Sequence, residues 1–391
     1  MNEKGKTRVH VVQLSRFSAI TSFLLVVPML FGIVTDHSAS ATNTATQTSP
    51  QMVVRAGLTD DVFVLLEGKD FPHSNVIERS SNGGSSFVKM GSLPIKSAPT
   101  AGYLPINQLL FANANDGFAL GYSVGTTKGT VSPLYVTVDG GTVWRTVEIS
   151  STTSIREIAV TANYLYAITS QCLGRNAKCS GARLERTAAS SMSWVSLPIP
   201  APLPKYASVM NVTAFGNDVW LSTMDQISNP YPSYVATSYN LGASFSIAVH
   251  SLLNSVTACG LAAMSTEVLW AICDQGNMAG QIPYSSDGGA HWAIKDSNEV
   301  LSSFAFGAID PITSGVAFVV NERFPQHLYR VTSGTATPTV SGTLPKGRLV
   351  VGLCFVNQRQ GLLLTNGNGS APYSTLWYTN DGGTHWTKVF T

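Results

Sequence analysis

The chain has 391 residues, 44% of them hydrophobic and only 12% charged, with 34 Gly and 19 Pro. A formal net charge of +2 leaves no basic footprint for a nucleic acid. Few stretches carry a helical period of Ala, Leu, Glu and Lys, so the composition excludes a mainly helical chain and suits short strands joined by tight turns.

The N-terminus reads as a targeting segment. Lys4, Lys6, Arg8 and Arg16 precede an apolar run from Phe17 to Val34, and Ala39-Ser40-Ala41 follows. A basic start, an apolar middle and a small-x-small site predict a secretory signal cleaved after Ala41. An uncleaved membrane anchor is the second reading, because the run reaches the lower limit for a spanning helix. No Cys follows it, which argues against a lipoprotein. Residues 42–51 are Ser/Thr-rich and uncharged, a flexible tether by composition, and residues 52–391 form the folded domain. Four of the 24 Lys and Arg and two of the 22 Asp and Glu lie in residues 1–41, so the exported part is neutral.

The domain carries one motif over and over. Thr137 to Trp144 (TVDGGTVW), Ser285 to Trp292 (SSDGGAHW) and Thr379 to Trp386 (TNDGGTHW) match almost throughout. Ser80 to Phe87 (SSNGGSSF) and Ser238 to Phe245 (SYNLGASF) are variants. Thr187 to Trp194 and a stretch near Ser333 are degenerate copies. The third position falls at Asn82, Asp139, 189, Asn240, Asp287, 333 and Asp381, at intervals of 46 to 57 residues. That period predicts four-stranded propeller blades, seven of them, with six or eight left open by the two degenerate copies.

Each unit also holds an apolar hairpin. Leu109–Phe111 with Gly117–Leu120, Val212–Phe215 with Val219–Leu221, Phe306–Ile309 with Gly315–Val320 and Gly352–Phe355 with Gly361–Leu364 read as strands a and b. Leu134–Thr137 then leads into the motif as strand c, and Trp144–Val147 leaves it as strand d. Apolar runs this short and unalternating suit strands buried on both faces. The expected fold is therefore an all-β, seven-bladed propeller with antiparallel blades and the motif as the c–d turn. The chain holds whole blades in order, so ring closure is expected to rest on packing between the first and last blades, helped by the first repeated turn.

The motif has a mechanical reason. Its Asp or Asn can accept backbone N–H bonds inside the turn, its Gly supplies a positive φ, and its aromatic residue packs between blades. With these residues the chain resembles the Asp-box (BNR-repeat) propellers, over essentially all of residues 52–391. They include sialidases, xyloglucan-type hydrolases, sortilin-like receptors and the photosystem II assembly-factor group. Gly117-Phe118-Ala119-Leu120 looks most like the last group, whose members are taken to be non-catalytic. The resemblance is specific for fold and unspecific for function.

All five Cys lie in the exported part, where disulfides are favoured. Cys259 and Cys273 sit seven residues on either side of Thr266 and are expected to bridge an a–b hairpin. Cys172 and Cys179 bracket a b–c loop, and a second bridge is expected there. The rival reading of both pairs is metal ligation, but no nearby His or Cys completes a four-ligand set. Cys354 is expected to be a buried free thiol.

No catalytic constellation emerges. A sialidase needs an Arg triad, a Tyr–Glu pair and an Asp, with an Arg-Ile-Pro signature near its start. Here the nearest string is Arg323-Phe324-Pro325, late in the chain, while Arg79 and Arg145 fall on outer strands. His73, His250, His291, His327 and His385 are scattered, and the position of His291 and His385 before Trp suggests a packing role in the repeat. With c–d and a–b turns on one face, the b–c and d–a loops share the other. The b–c loops hold Glu67, Asp70, Asp225, Asp274 and Glu322, candidate carboxylates for a glycosidase. They also hold Phe71, Tyr122, Tyr231 and Tyr234, candidate recognition anchors. The reading is an exported, non-catalytic, monomeric scaffold. It binds a protein or carbohydrate partner through Phe71, Tyr122, Tyr231, Tyr234, Asp225 and Asp274. No cofactor or metal is expected, and any membrane contact runs through the N-terminal segment. A secreted glycoside hydrolase, sialidase-like or xyloglucanase-like, is the alternative.

Overall fold

Strands form here because apolar and β-branched runs are bounded by turn-forming residues. Val62–Glu67 and Gly361–Thr365 are buried along almost their whole length, which removes the alternation of a one-sided strand. The computed structural model describes residues 49–67, 75–95, 106–125, 130–147, 149, 153–173, 178–179, 181–189, 191–199, 207–225, 233–247, 258–274, 280–294, 309–320, 326–333, 339–345, 349–366 and 374–390. Among these residues there is no helix.

The strands build seven antiparallel sheets of order a–b–c–d, one after another along the chain. Blade 1 is Ser49–Arg55, Val62–Glu67, Asn75–Ser80 and Val88–Leu93; blade 2 is Ile106–Phe111, Gly117–Gly121, Leu134–Thr137 and Arg145–Val147. Blade 3 is Thr153–Val160, Tyr164–Leu173, Arg183–Ala188 and Val195–Leu197; blade 4 is Ala207–Phe215, Asp218–Asp225, Ser233–Ser238 and Ser246–Ile247. Blade 5 is Ala258–Ala263, Leu269–Asp274, Pro283–Ser285 and Ala293–Ile294; blade 6 is Ile309–Thr313, Val316–Val320, His327–Thr332 and Thr339–Thr343. Blade 7 is Val350–Phe355, Gly361–Thr365, Thr375–Thr379 and Thr387–Phe390. This is a seven-bladed β-propeller, and the six- and eight-bladed alternatives fall away.

Two boundaries differ from the sequence reading. Strand a of blade 1 begins at Ser49, inside the stretch read as tether, because Pro50 already pairs with Leu66. Strand a of blade 6 is Ile309–Thr313, not Phe306–Ile309, although it contains Pro311. A proline is tolerated there because strand a is the inner edge of its sheet and its register shifts between Pro311 and Thr313.

The repeated turns share one hydrogen-bond scheme. In blade 2, Thr137 Oγ1 donates to Asp139 Oδ1 at 2.7 Å, and the N–H groups of Gly141 and Val143 donate to Thr137 Oγ1 and Asp139 Oδ1 at 3.0 and 2.9 Å. Ser238 with Asn240, Ser285 with Asp287, and Thr379 with Asp381 repeat it, as does Ser80 with Asn82. Where Asn replaces Asp, its oxygen accepts the same bonds and its amide also donates, Asn82 to Ser86 Oγ and Asn240 to Ser244 Oγ. The Val143 N–H and the Thr137 hydroxyl hold the Asp139 carboxyl below its ordinary value. The His385 N–H and ring pull Asp381 down to about 2. Asp287 is also lowered: burial pushes it up, but the bonds from His291 and Ser285 outweigh that. His291 and His385 do not pack as expected. Their side chains are 85% exposed, and each ring Nδ1 lies 2.6 Å from the carboxylate of its own turn.

Every c–d turn leans on the a–b turn of its own blade through one backbone bond. Gly83 N–H donates to Asp60 O, Gly140 to Asn115, Ala189 to Asn163, Leu241 to Asn217, Gly288 to Glu267, Ser333 to Gly315 and Gly382 to Arg359. The degenerate third and sixth turns keep this bond, at Ala189 and Ser333, without the Asp. All fourteen of these turns therefore lie on one face, called the turn face below. The aromatic residue points into the seam with the preceding blade. Trp144 meets Phe111 edge-on, and Phe111 stacks on Phe63 of blade 1. Trp386, Phe355 and Phe318 repeat the arrangement between blades 7 and 6. Trp292 closes its own turn, donating Nε1–H to Gly289 O at 3.0 Å.

The ring closes without a shared blade. Val53, Val62, Val64 and Leu66 of blade 1 form one buried cluster with Cys354, Leu362, Leu364 and Leu376 of blade 7. The first repeated turn helps, as expected. A Cβ on Gly84 would lie 2.6 Å from Leu362, so the turn seats directly on blade 7. Ser374 N–H also donates to Ser49 Oγ at 3.1 Å.

Candidate functional site

The turn topology puts the b–c and d–a connections together on the opposite face, called the loop face. In three blades the last residue of strand b is acidic: Glu67, Asp225 and Asp274. None of the three stands inside a loop. Each still pairs with strand a, Glu67 with Ser49, Asp225 with Ala207 and Asp274 with Ala258. Glu67 Oε2 accepts a bond from Gln51 Nε2 at 2.9 Å, and partial burial pushes its carboxyl above the ordinary value.

The aromatic candidates divide. Tyr234 is the second residue of strand c in blade 4, half-buried and paired with Thr223, so it is a strand residue rather than a loop residue. The prolines just before it (Pro230 and Pro232) suggested a longer loop than the strand allows. Tyr122 directly follows strand b of blade 2 and is half-buried. Phe71, Tyr231, Asp70, Glu322, His73 and His250 lie outside the described residues. His327 opens strand c of blade 6, its ring centroid 6.3 Å from that of Tyr329. Arg79 is on strand c and Arg145 on strand d, as expected, and Arg79 is bound to Asp61 at 2.8 Å.

Both cysteine pairs lie toward the loop face. Cys259 and Cys273 are direct cross-strand partners and form a disulfide with a Cα–Cα distance of 4.1 Å. Cys172 and Cys179 are likewise opposite one another, strand b against Lys178–Cys179. Cys354 is a buried free thiol in strand a of blade 7, its pKa pushed up by burial. Among the described residues no group of three or more His, Cys, Asp or Glu is placed to hold a metal.

Sequence reasoning missed the polar groups of the innermost strands. Gln108 of blade 2 grips Ile158 of blade 3 with both amide atoms, Nε2 to O and Oε1 from N–H, each at 2.9 Å. Asn211 of blade 4 donates to Glu157 of blade 3 at 2.5 Å and accepts from Leu261 N–H of blade 5 at 3.1 Å. Asp310 of blade 6 accepts the N–H of Phe355 of blade 7. Arg55 of blade 1 donates to Val356 O at 3.3 Å and Pro311 O at 3.4 Å, touching blades 7 and 6 together. The available signal was a single polar residue inside an apolar strand-a run, as in INQLLF and SVMNVTAF. These side chains fasten blade to blade; buried polar groups need such partners.

No family model matches the chain, and no curated protein matches it. Solved structures do. The propeller domain of the Trilobed protease from Pyrococcus furiosus, described as having an open velcro topology, superposes with a TM-score of 0.54 at 9% identity. The match covers 88% of this chain and 97% of that one. An acylaminoacyl peptidase from Pyrococcus horikoshii gives 0.54 at 10% identity, over 88% of this chain and 53% of that chain, so this chain spans about half its length. YCF48 from Cyanidioschyzon merolae gives 0.48 at 15% identity, over 70% of this chain and 80% of that one; YCF48 bound to D1 peptide gives the same score and identity, over 75% and 86%. At these identities the likeness is one of fold.

Proposed function

We propose that this chain is an exported, non-catalytic propeller of the Asp-box type that binds a protein or glycan partner through its loop face. The observation that carries the reading is the unequal treatment of the two faces. The c–d turns are six or seven residues in every blade, as in 81–87 and 189–194, and each is fixed by a bond to the neighbouring a–b turn. The d–a connections range from five residues (148–152) to fourteen (295–308). Uniform turns on a rigid ring are scaffold, whereas connections of unequal length and composition are where recognition is built. The 0.48 likeness to YCF48 carries no weight in this.

Export is supported by the signal pattern of residues 1–41 and by the Cys259–Cys273 bridge, a feature favoured in oxidising compartments. The register of Cys172 with Cys179 supports a second bridge. A non-catalytic role is supported by the buried carboxylates of the inner strands, Glu157 and Asp310, each of which accepts a bond from a neighbouring blade.

The test is a combined screen of purified residues 42–391 against a glycan array, chromogenic glycosides and a displayed library of random peptides. The reading expects no turnover on any glycoside and selection of a peptide or glycan ligand. Phe71→Ala with Tyr231→Ala should then weaken that ligand at least tenfold and leave the melting temperature unchanged. Turnover that disappears in Asp225→Asn or Asp274→Asn would overturn it in favour of a glycosidase.

A further inference from the structure

Asp310 is 5% exposed on the innermost strand of blade 6. Its carboxylate takes the Phe355 N–H of blade 7, and Arg55 of blade 1 takes the carbonyls of the two adjoining residues, Pro311 and Val356. Three blades thus meet through one carboxylate, one peptide N–H, two carbonyls and one guanidinium. They meet where the first and last blades join with no strand in common. Yet among the described residues no ion pair within 4 Å links Arg55 to Asp310. The buried charge is left to one peptide N–H and a guanidinium engaged elsewhere.

We propose that Asp310 makes the junction of blades 6, 7 and 1 a pH-dependent latch, which closes more tightly when its carboxyl carries a proton. A neutral carboxyl keeps the Phe355 bond through its carbonyl oxygen and sheds the cost of an unpaired buried charge. An ionised one favours any opening that admits water or draws Arg55 away from the two carbonyls. The groups facing it are few. Arg55 approaches from blade 1 and the Cys354 thiol from strand a of blade 7, while strands b of blades 6 and 7 (VAFVV and GLLLT) carry nothing that titrates.

The electrostatics agree with the geometry. Burial raises the Asp310 carboxyl to about 6, against the pull of Arg55 and of the Phe355 N–H. A value raised from 3.8 in the open form favours the closed junction at low pH. That contribution is complete below about 4 and fades as pH rises through about 6.

Amide hydrogen exchange in half-unit steps from pH 5.0 to pH 7.5, corrected for intrinsic rates, reads this directly on the full exported chain. Protection of the Phe355 amide and of Ile309 and Ile312 should rise about tenfold on going to pH 5.0, the change expected for a carboxyl titrating near 6 when closed and near 4 when open. Ile106–Phe111, fastened by the neutral Gln108, should not change. Asp310→Asn should keep the fold and flatten the response. Arg55→Met keeps the carboxyl and removes its nearest positive charge, so its response should move to higher pH. A flat wild-type profile, an equal rise in Asp310→Asn, or an unmoved midpoint in Arg55→Met would each overturn the latch.

Discussion

The two faces of this propeller obey different rules. On the turn face, seven c–d turns of nearly one length lean on their a–b turns, even where the motif has decayed at Ala189 and Ser333, and five of them repeat one side-chain hydrogen-bond scheme. On the loop face the strands end in a mixed set of groups, among them Glu67, Asp225, Asp274, Tyr122 and the two cysteine pairs. The difference teaches that repetition here serves the ring. Positions that every blade must satisfy are set by backbone geometry, and positions free to differ gather at the opposite ends of the strands.

The comparison breaks most visibly at glycine. Gly84 has φ +96 and no room for a Cβ beside Leu362, whereas a Cβ on Gly181, near the loop-face start of strand c in blade 3, would meet nothing within 4 Å. Gly84→Ala should therefore cost about 2–4 kcal/mol in denaturant unfolding, combining a disfavoured φ with overpacking at the closure. Gly181→Ala should stay within about 0.5 kcal/mol. Equal effects would mean the closure is softer than its packing implies.

The loop face has its own constraint in the Cys259–Cys273 bridge. Replacing both by Ala should lower stability by about 2–3 kcal/mol, given the 14-residue separation. Reductant should cost the native chain at least as much, and the variant should respond to it only through the Cys172–Cys179 pair.

A smaller effect sharpens the turn-face rule. Asp381→Asn preserves the acceptor that Asn82 and Asn240 already provide, so it should cost less than about 1 kcal/mol at pH 7. Its signature lies in acid. The folded Asp381 carboxyl titrates at about 2, below its ordinary 3.8, so its contribution is present above about 4 and is lost as pH falls toward 2. Thermal melts from pH 5 to pH 2 should fall less steeply for Asp381→Asn than for the native chain.

Much of the fold was legible because the repeated turn writes its chemistry locally. Ser or Thr, Asp or Asn and Gly at fixed offsets act on neighbours within five residues, and the Cys259–Cys273 register follows from the symmetry of one hairpin about Thr266. The inner-strand clasps were not legible. Gln108, Asn211 and Asp310 bond to residues about 45 to 50 positions away, and Arg55 reaches more than 250 positions along the chain, so nothing local marks their partners. Pro311 hid its own strand, because a proline in an apolar run ordinarily signals a break, and here the inner edge absorbs it. Of the candidate carboxylates, Glu67, Asp225 and Asp274 were read one step too far into the loops, since strand b runs to each of them before turning.

The division of labour between the faces is tested most directly by mapping a ligand selected from a displayed peptide library onto both. One set of variants changes the loop face (Phe71→Ala, Tyr231→Ala, Asp274→Asn). The other changes exposed apolar residues of the turn face, Leu58, Val138, Val143 and Tyr239, to Ser. Affinities are then compared at matched stability. The account predicts at least a tenfold loss on the loop face and changes within about twofold on the turn face. A selected ligand that depends on Val138, Val143 or Tyr239 and ignores the loop-face changes would contradict it.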